Sequence, residues 1–266
     1  MERLGKPLTV NGKTAVITGG AGGLGRALAA QLQARGWFCA LLDLPDAVAG
    51  MTAQDCQSLH PCDITSPADV EAVCTAIRFE RPSIDLVIYN AGVTLIAPFE
   101  RLDPVAHRQV FDVNYWGAVY LVAALLPDIR KARGTHLAIT SVAGFAPLKH
   151  RTAYAASKHA MSGFFASLRG EEASHDVRTV LAAPSFVATN PGARFDARGM
   201  GPPGAAGDGI DEMTPERAAR IILQGFEKGR DFIPVGRVAW LAWWANRLAP
   251  RLYERKMLKA ISGEMT

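Results

Sequence analysis

The sequence predicts a doubly wound α/β fold: a Rossmann-like parallel sheet of about seven strands with helices on both faces. Three observations predict it. Almost wholly apolar runs such as TAVIT (14–18) and FCALLD (38–43) read as strands covered on both faces. Amphipathic helical stretches alternate with these runs. No change of composition marks a linker, so residues 1–235 read as one unit and 236–266 as an amphipathic, basic helical extension.

The elements follow in order. Strand 14–18 is broken by the glycine cluster 19–25, after which Leu24, Leu28 and Leu32 repeat at helical spacing until Gly36. Strand 38–43 comes next. Ser66 and Pro67 read as N-cap and first helical residue, with Asp69 in the first turn, of a helix ending near Ile77. Strand 85–89 (DLVIY) precedes a long helical stretch opened by Asp103-Pro104 and reaching Arg133. Strand 135–140 (THLAIT), a helix over 152–173 and strand 178–183 (RTVLAA) continue the alternation. Thr214-Pro215 starts a helix ending near Gly229, and FIPV (232–235) supplies the last strand. The segment 190–212, with six glycines and three prolines, has few apolar anchors. A loop this long in a compact domain is a lid or a disordered segment, and its place after the sixth strand favours a lid.

Composition narrows the function. Half the 266 residues are apolar, enough for a substantial core. Cys39, Cys56, Cys62 and Cys74 lack CxxC spacing or a histidine cluster, which reads as reduced thiols and no metal site. The longest apolar run, 238–245, is too short to cross a bilayer, and no apolar segment follows the charges at 1–9. A cytoplasmic protein is expected, with the membrane surface as an alternative address. The net charge of +4 gives no footprint for nucleic acid.

After the first strand comes Thr18-Gly19-Gly20-Ala21-Gly22-Gly23-Leu24-Gly25. A tight strand-to-helix turn that lets the backbone approach a pyrophosphate needs glycine, and the helix N-terminus offers unpaired N–H groups. Its position between a strand and a helix makes the cluster a dinucleotide-site candidate. Asp43 ends the second strand, where a carboxylate accepts from the adenosine ribose and repels a 2′-phosphate. No basic residue follows it in Leu44-Pro45, so NAD is expected over NADP. Tyr154 and Lys158, four apart, share one helix face. A neighbouring ammonium favours the phenolate, making the hydroxyl usable as acid and base. Ser141 lies just past the fifth strand, at the sheet end where ligands bind.

Taken together these motifs resemble the short-chain dehydrogenase/reductase family, of the short single-domain type, over roughly residues 8–235. Thr18, Gly19, Gly23 and Gly25 have the family's TGxxxGxG form; Asp63, beside Ile64, matches the adenine-contacting acid; Asn90-Ala91-Gly92 matches the NAG closing the fourth strand. Asn114, Ser141, Tyr154 and Lys158 match the four catalytic positions in order and spacing. The resemblance implies proton exchange with the carbonyl oxygen by Tyr154. Lys158 would bind the nicotinamide ribose and lower the Tyr154 pKa, and Ser141 would hold the reacting oxygen. Asn114 would fix the helix geometry and a water. It also implies carboxamide contacts from Pro184, Val187 and Thr189, and a homodimer or homotetramer. Ser185 and Tyr89 depart from the usual Pro-Gly and Asn-Asn-Ala-Gly. Epimerases of the extended branch and enoyl reductases of the divergent branch differ in motif spacing. An idle dinucleotide-binding sensor is the alternative of another class, and the intact catalytic set argues against it.

A small alcohol or carbonyl compound, partly apolar, is the expected partner. Its pocket should be walled by 94–98, 143–151 and the lid, with Phe145, Ala146, Pro147 and Leu148 apolar. Lys149, His150 and Arg151 form either a solvated turn or a contact to an acidic group. Across 237–259 six basic residues face one acid, Glu254. Trp240, Leu241, Trp244, Leu248 and Leu252 make an apolar stripe, Arg247, Arg251, Arg255 and Lys259 a basic one, and Pro250 divides two helices. The stripe packs on the body or another subunit, lies in a membrane interface, or roofs the pocket.

Overall fold

In a computed structural model the described residues are 12–190, 193–204 and 212–261, with side chains described as far as Arg255. The expectations for 1–9, for Lys259 and for parts of the 190–212 segment lie outside them.

Seven strands form one parallel sheet: β1 (Thr14–Thr18), β2 (Phe38–Asp43), β3 (Gln57–Pro61), β4 (Leu86–Tyr89), β5 (Thr135–Ile139), β6 (Arg178–Pro184) and β7 (Phe232–Val235). Their order in space is β3-β2-β1-β4-β5-β6-β7. Strand periodicity sends neighbours along β1 to opposite faces. Ala15 and Ile17 join the core under α1 (Gly23–Gln33) and α7 (Pro215–Glu227), with Leu28 and Ile222. Val16 joins the other core, under α3 (Pro67–Glu80), α5 (Gly117–Ala132) and α6 (Thr152–Glu172). The intermediate helices are the short α2 (Pro45–Ala49) and α4 (Pro104–Phe111).

Most helix boundaries follow from local chemistry. The Ser66 hydroxyl accepts from the Asp69 N–H at 3.3 Å, and the Thr214 hydroxyl from the Arg217 N–H at 3.3 Å, with proline as the next residue in both. Helix α3 runs on to Glu80, past the expected stop at Ile77. Strand β3 (QSLHP) and helix α2 are additions to the elements read individually from sequence. β3 is an edge strand paired only with β2, so it tolerates Pro61 and needs no apolar run. Helices α4 and α5 join through a π turn, Asp112–Trp116, into one stretch, Pro104–Ala132, long and apolar enough to span a bilayer by composition. Val110, Leu121, Leu125 and Ile129 of this stretch are buried in the protein core.

The order reverses between β1 and β4, and the crevice beyond their carboxyl ends is where an open parallel sheet binds ligands. Two chain ends meet there: the Asn90 Nδ2 after β4 donates to the carbonyl oxygens of Thr18 at 3.0 Å and Gly19 at 3.1 Å. The 190–212 segment is not a bare loop. Met200–Gly201 pairs antiparallel with Thr94–Leu95, and the Thr189 hydroxyl and Asn190 Nδ2 both donate to the Pro203 carbonyl, at 2.6 and 2.9 Å. Pro250 does divide the extension, into α8 (Arg237–Leu248) and α9 (Pro250–Ile261).

Candidate active site

A single cavity of about 1070 Å³ runs from the glycine turn to the C-terminal helices. Gly19, Gly23, Leu24, Asp43, Asp63, Ile64, Asn90, Ala91 and Gly92 line one part of it. Ser141, Tyr154, Lys158, Pro184, Val187 and Thr189 line the next. Two expected site residues lie behind the wall. Gly25 acts through packing: a Cβ there would collide with the Gly19 carbonyl oxygen, so glycine lets α1 start directly against the turn. Gly19 itself sits at φ +65°, in the left-handed region. Asn114 is the other.

The glycine turn has the shape of an anion cradle. A Cβ on Gly23 would run into the Thr189 carbonyl, so the turn and the β6 exit are in backbone contact. The Asp43 carboxylate accepts from the Ala21 N–H at 2.9 Å and from the Leu44 N–H at 2.9 Å, fixing it beside the turn at the end of β2. These residues fit a dinucleotide: a helix N-terminus without side chains over it, and a carboxylate one strand away.

Helix α6 carries Tyr154 and Lys158 one turn apart, both buried. Lys158 Nζ donates to the Ile139 carbonyl at 3.0 Å, anchoring α6 to the end of β5. Burial lowers the Lys158 pKa to about 8. Ser141, just after β5, accepts from the Ala143 N–H at 3.1 Å and hydrogen-bonds Tyr154. Burial also raises the Tyr154 pKa above its ordinary value, opposed by the Ser141 hydrogen bond and the Arg151 charge. In the chain alone burial is the largest of these effects. Desolvation wins over the Ser141 hydrogen bond and, after it, the charge of Arg151, three residues back.

Asn114 belongs to the π turn, which points its side chain inward. Its Oδ1 accepts from the Val93 N–H at 2.8 Å, and its Nδ2 donates to the Val93 carbonyl at 3.0 Å and to Ser157 Oγ at 2.9 Å. It holds the β4 exit against α6, with only Gly92 between it and Lys158: a Cβ there would lie 3.2 Å from Asn114 Oδ1 and 3.5 Å from Lys158 Nζ.

The expected apolar wall is also corrected. Leu148 lines the cavity. Phe145 and Ala146 instead pack against Ala239 and Ala242 of α8, and the Asn246 amide donates to the Phe145 carbonyl at 2.7 Å. They anchor the extension, which supplies wall residues in their place: Val238, Leu241, Ala242, Ala245, Leu252 and Tyr253. Of the three readings of the apolar stripe, the roof over the pocket holds for Leu241 and Leu252, which line the cavity. Of the basic run, Arg151 reaches the cavity. Ser185, standing for glycine, leaves its hydroxyl buried without a protein partner among the described residues. The buried thiols Cys39, Cys62 and Cys74 are free, their pKa values pushed up by burial to about 12, 11 and 12.

The short chain dehydrogenase family model matches residues 13–198, which include every one of the motifs above. This chain belongs to the short-chain dehydrogenase/reductase family. It is 32% identical to the dehydrogenase/reductase SDR family member 7B of Bos taurus, over 93% of this chain and 81% of that one. It is 28% identical to an 11-beta-hydroxysteroid dehydrogenase-like protein of Arabidopsis thaliana, over 88% of this chain and 76% of that one. Among solved structures, a short chain dehydrogenase of Burkholderia cenocepacia in complex with NADP shares the fold at a TM-score of 0.79 and 23% identity, covering 94% and 99% of the chains. A Burkholderia phymatum member in complex with NAD does so at 0.77 and 23%, covering 94% and 96%. The family makes the protein an oxidoreductase that uses a nicotinamide dinucleotide and acts on a small molecule.

Proposed function

We propose that this short-chain dehydrogenase/reductase is an NAD(H)-dependent enzyme interconverting a secondary alcohol and a ketone or aldehyde, with Tyr154 as acid and base. The observation that carries the reading is the Tyr154 hydroxyl, on the cavity wall, hydrogen-bonded to Ser141 and one helical turn from Lys158.

The dinucleotide, when bound, takes up or delivers the hydride. Gly19, Gly23 and Leu24 would face its pyrophosphate, Asp43 the adenosine ribose, and Asp63 and Ile64 the adenine. Asn90, Ala91 and Gly92 would border its middle, Lys158 the nicotinamide ribose, and Pro184, Val187 and Thr189 the carboxamide. Tyr154 holds its proton at neutral pH, as an ordinary tyrosine does and the more so for its burial, and so is ready to donate to a carbonyl oxygen. In the reverse direction the phenolate takes that proton back. Ser141 holds the same oxygen, and Lys158, protonated at neutral pH with a pKa of about 8, puts positive charge beside it.

The preference for NAD rests on the Asp43 carboxylate, whose charge opposes a 2′-phosphate. A large, mainly apolar cavity favours a bulky, partly apolar alcohol. The likeness to a protein named for 11-beta-hydroxysteroid dehydrogenase supports that size class. The exposed Trp116, at the end of the π turn and stacked on Tyr120 of α5, supports subunit contact through this junction.

The test is NADH formation from NAD with secondary alcohols graded from short polar to bulky apolar ones. Tyr154→Phe should lose about 10²–10⁴ in kcat while still binding NADH. Unchanged turnover in that variant would remove Tyr154 from the chemistry. Tight NADH binding with no turnover by any alcohol would turn the reading toward a sensor.

A further inference from the structure

We infer that the outer face of α8 and α9 docks on an anionic lipid bilayer, and that the cavity opens at that surface. The inference goes beyond the hydride-transfer reading and does not depend on it.

Helix α8 is built inside out for the surface of a water-soluble domain. It buries its small residues, Ala239 and Ala242, against Val142 and Ala146, and turns its large ones outward. Trp240 is 52% exposed, Leu241 57%, Trp244 42%, Leu248 76% and, on α9, Leu252 59%. Burying large apolar side chains is the main return on folding an amphipathic helix. A stripe that forgoes it across two helices is a contact surface for something else.

Charge selects the occupant. Arg237, Arg247, Arg251 and Arg255 are exposed on the same two helices, against the single acid Glu254. The Arg247 guanidinium lies 4.3 Å from the Trp243 ring centre, a basic group held beside the aromatic cluster. A two-fold contact with a second copy would bring two patches of the same net positive charge face to face, each with four arginines against one acid. An anionic headgroup layer supplies the opposite charge, while tryptophan suits the boundary between headgroup and acyl chain.

The cavity adds a second, independent link. Leu241 and Leu252 are more than half exposed and also line the cavity. They therefore form a rim between the apolar stripe and the apolar interior. A lipophilic molecule dissolved in the bilayer could pass between them without crossing water.

The test is cosedimentation of the full chain with phosphatidylcholine vesicles, with and without phosphatidylserine, while tryptophan emission is followed. The expected result is binding about ten-fold tighter to the anionic vesicles, weakening with salt, with a blue shift of emission. Trp240→Ser/Trp244→Ser should lose binding at least about ten-fold, and Arg247→Glu/Arg251→Glu should remove the preference for anionic lipid. Unchanged NADH binding in both variants would show that the fold is intact. No sedimentation of the wild-type chain with either vesicle overturns the inference. So does a tryptophan variant that converts a dimer to monomers yet binds vesicles as before, which assigns the face to a second copy. Vesicle binding by a chain that turns over no alcohol would leave the docking surface standing and count against the hydride-transfer reading alone.

Discussion

Asn114 donates a hydrogen bond to Ser157 Oγ at 2.9 Å, tying the π turn to the helix that carries Tyr154 and Lys158. Ser157 in turn donates to the Tyr154 carbonyl at 2.8 Å, so the chain of contacts ends on the backbone of the proposed acid. Asn114 thus positions the site from behind its wall. Asn114→Ala removes three hydrogen bonds, one buried and two partly buried, and should cost about 2–4 kcal/mol, read as a lower urea midpoint. Turnover should fall with it, whereas Asn114→Asp, which keeps the acceptor for the Val93 N–H, should fall between the two.

Arg151 is the charge among the groups that oppose the burial of Tyr154. Burial raises the Tyr154 pKa, while the Ser141 hydrogen bond and the Arg151 charge pull it down. Removing the charge moves the pKa further up. In alcohol oxidation the phenolate is the active form, so kcat/KM rises with pH through this pKa. Arg151→Met should shift that rising limb to higher pH, and Arg151→Lys should restore it. A profile unchanged in Arg151→Met would leave Ser141 alone opposing burial.

Lys158 should destabilise the fold it serves. Its folded pKa of about 8 lies below the ordinary lysine value of 10.5, because burial penalises the ammonium. Between these two values the unfolded chain binds more protons, so stability rises with pH there, and below about 8 the penalty is constant. Lys158→Met removes the penalty but also the hydrogen bond to the Ile139 carbonyl. The expected net gain is about 1–3 kcal/mol at pH 7, shrinking toward pH 10. Thermal unfolding across that range checks it, with turnover lost throughout.

Asp43 should decide between the two dinucleotides. Asp43→Ala removes the charge that opposes a 2′-phosphate and the acceptor for the Ala21 N–H. NADH should bind more weakly and NADPH relatively better, a change in the ratio of the two dissociation constants read by fluorescence titration. Wild-type binding of NADPH over NADH would reverse the assignment.

Much of this molecule was legible as a linear pattern. Apolar runs and helical spacing located six of the seven strands, and the Ser66, Asp103 and Thr214 signals located helix starts. The edge strand β3 escaped because it needs only one partner and carries no apolar run. Phe145 and Ala146 were expected on the pocket wall because they are apolar and near Tyr154, yet their neighbours are set by α8, ninety-odd residues away in sequence.

By itself the sequence determined the period of each element and the residue types that dinucleotide binding and proton transfer require, since both depend on spacing along one chain. The tertiary structure alone decided three things. It put Gly25 and Asn114 behind the wall, made Arg151 a charge opposing the burial of Tyr154, and folded α8 and α9 across the cavity with Trp240 and Trp244 outward. Each depends on desolvation or on contact between distant segments, and neither is a property of spacing along the chain.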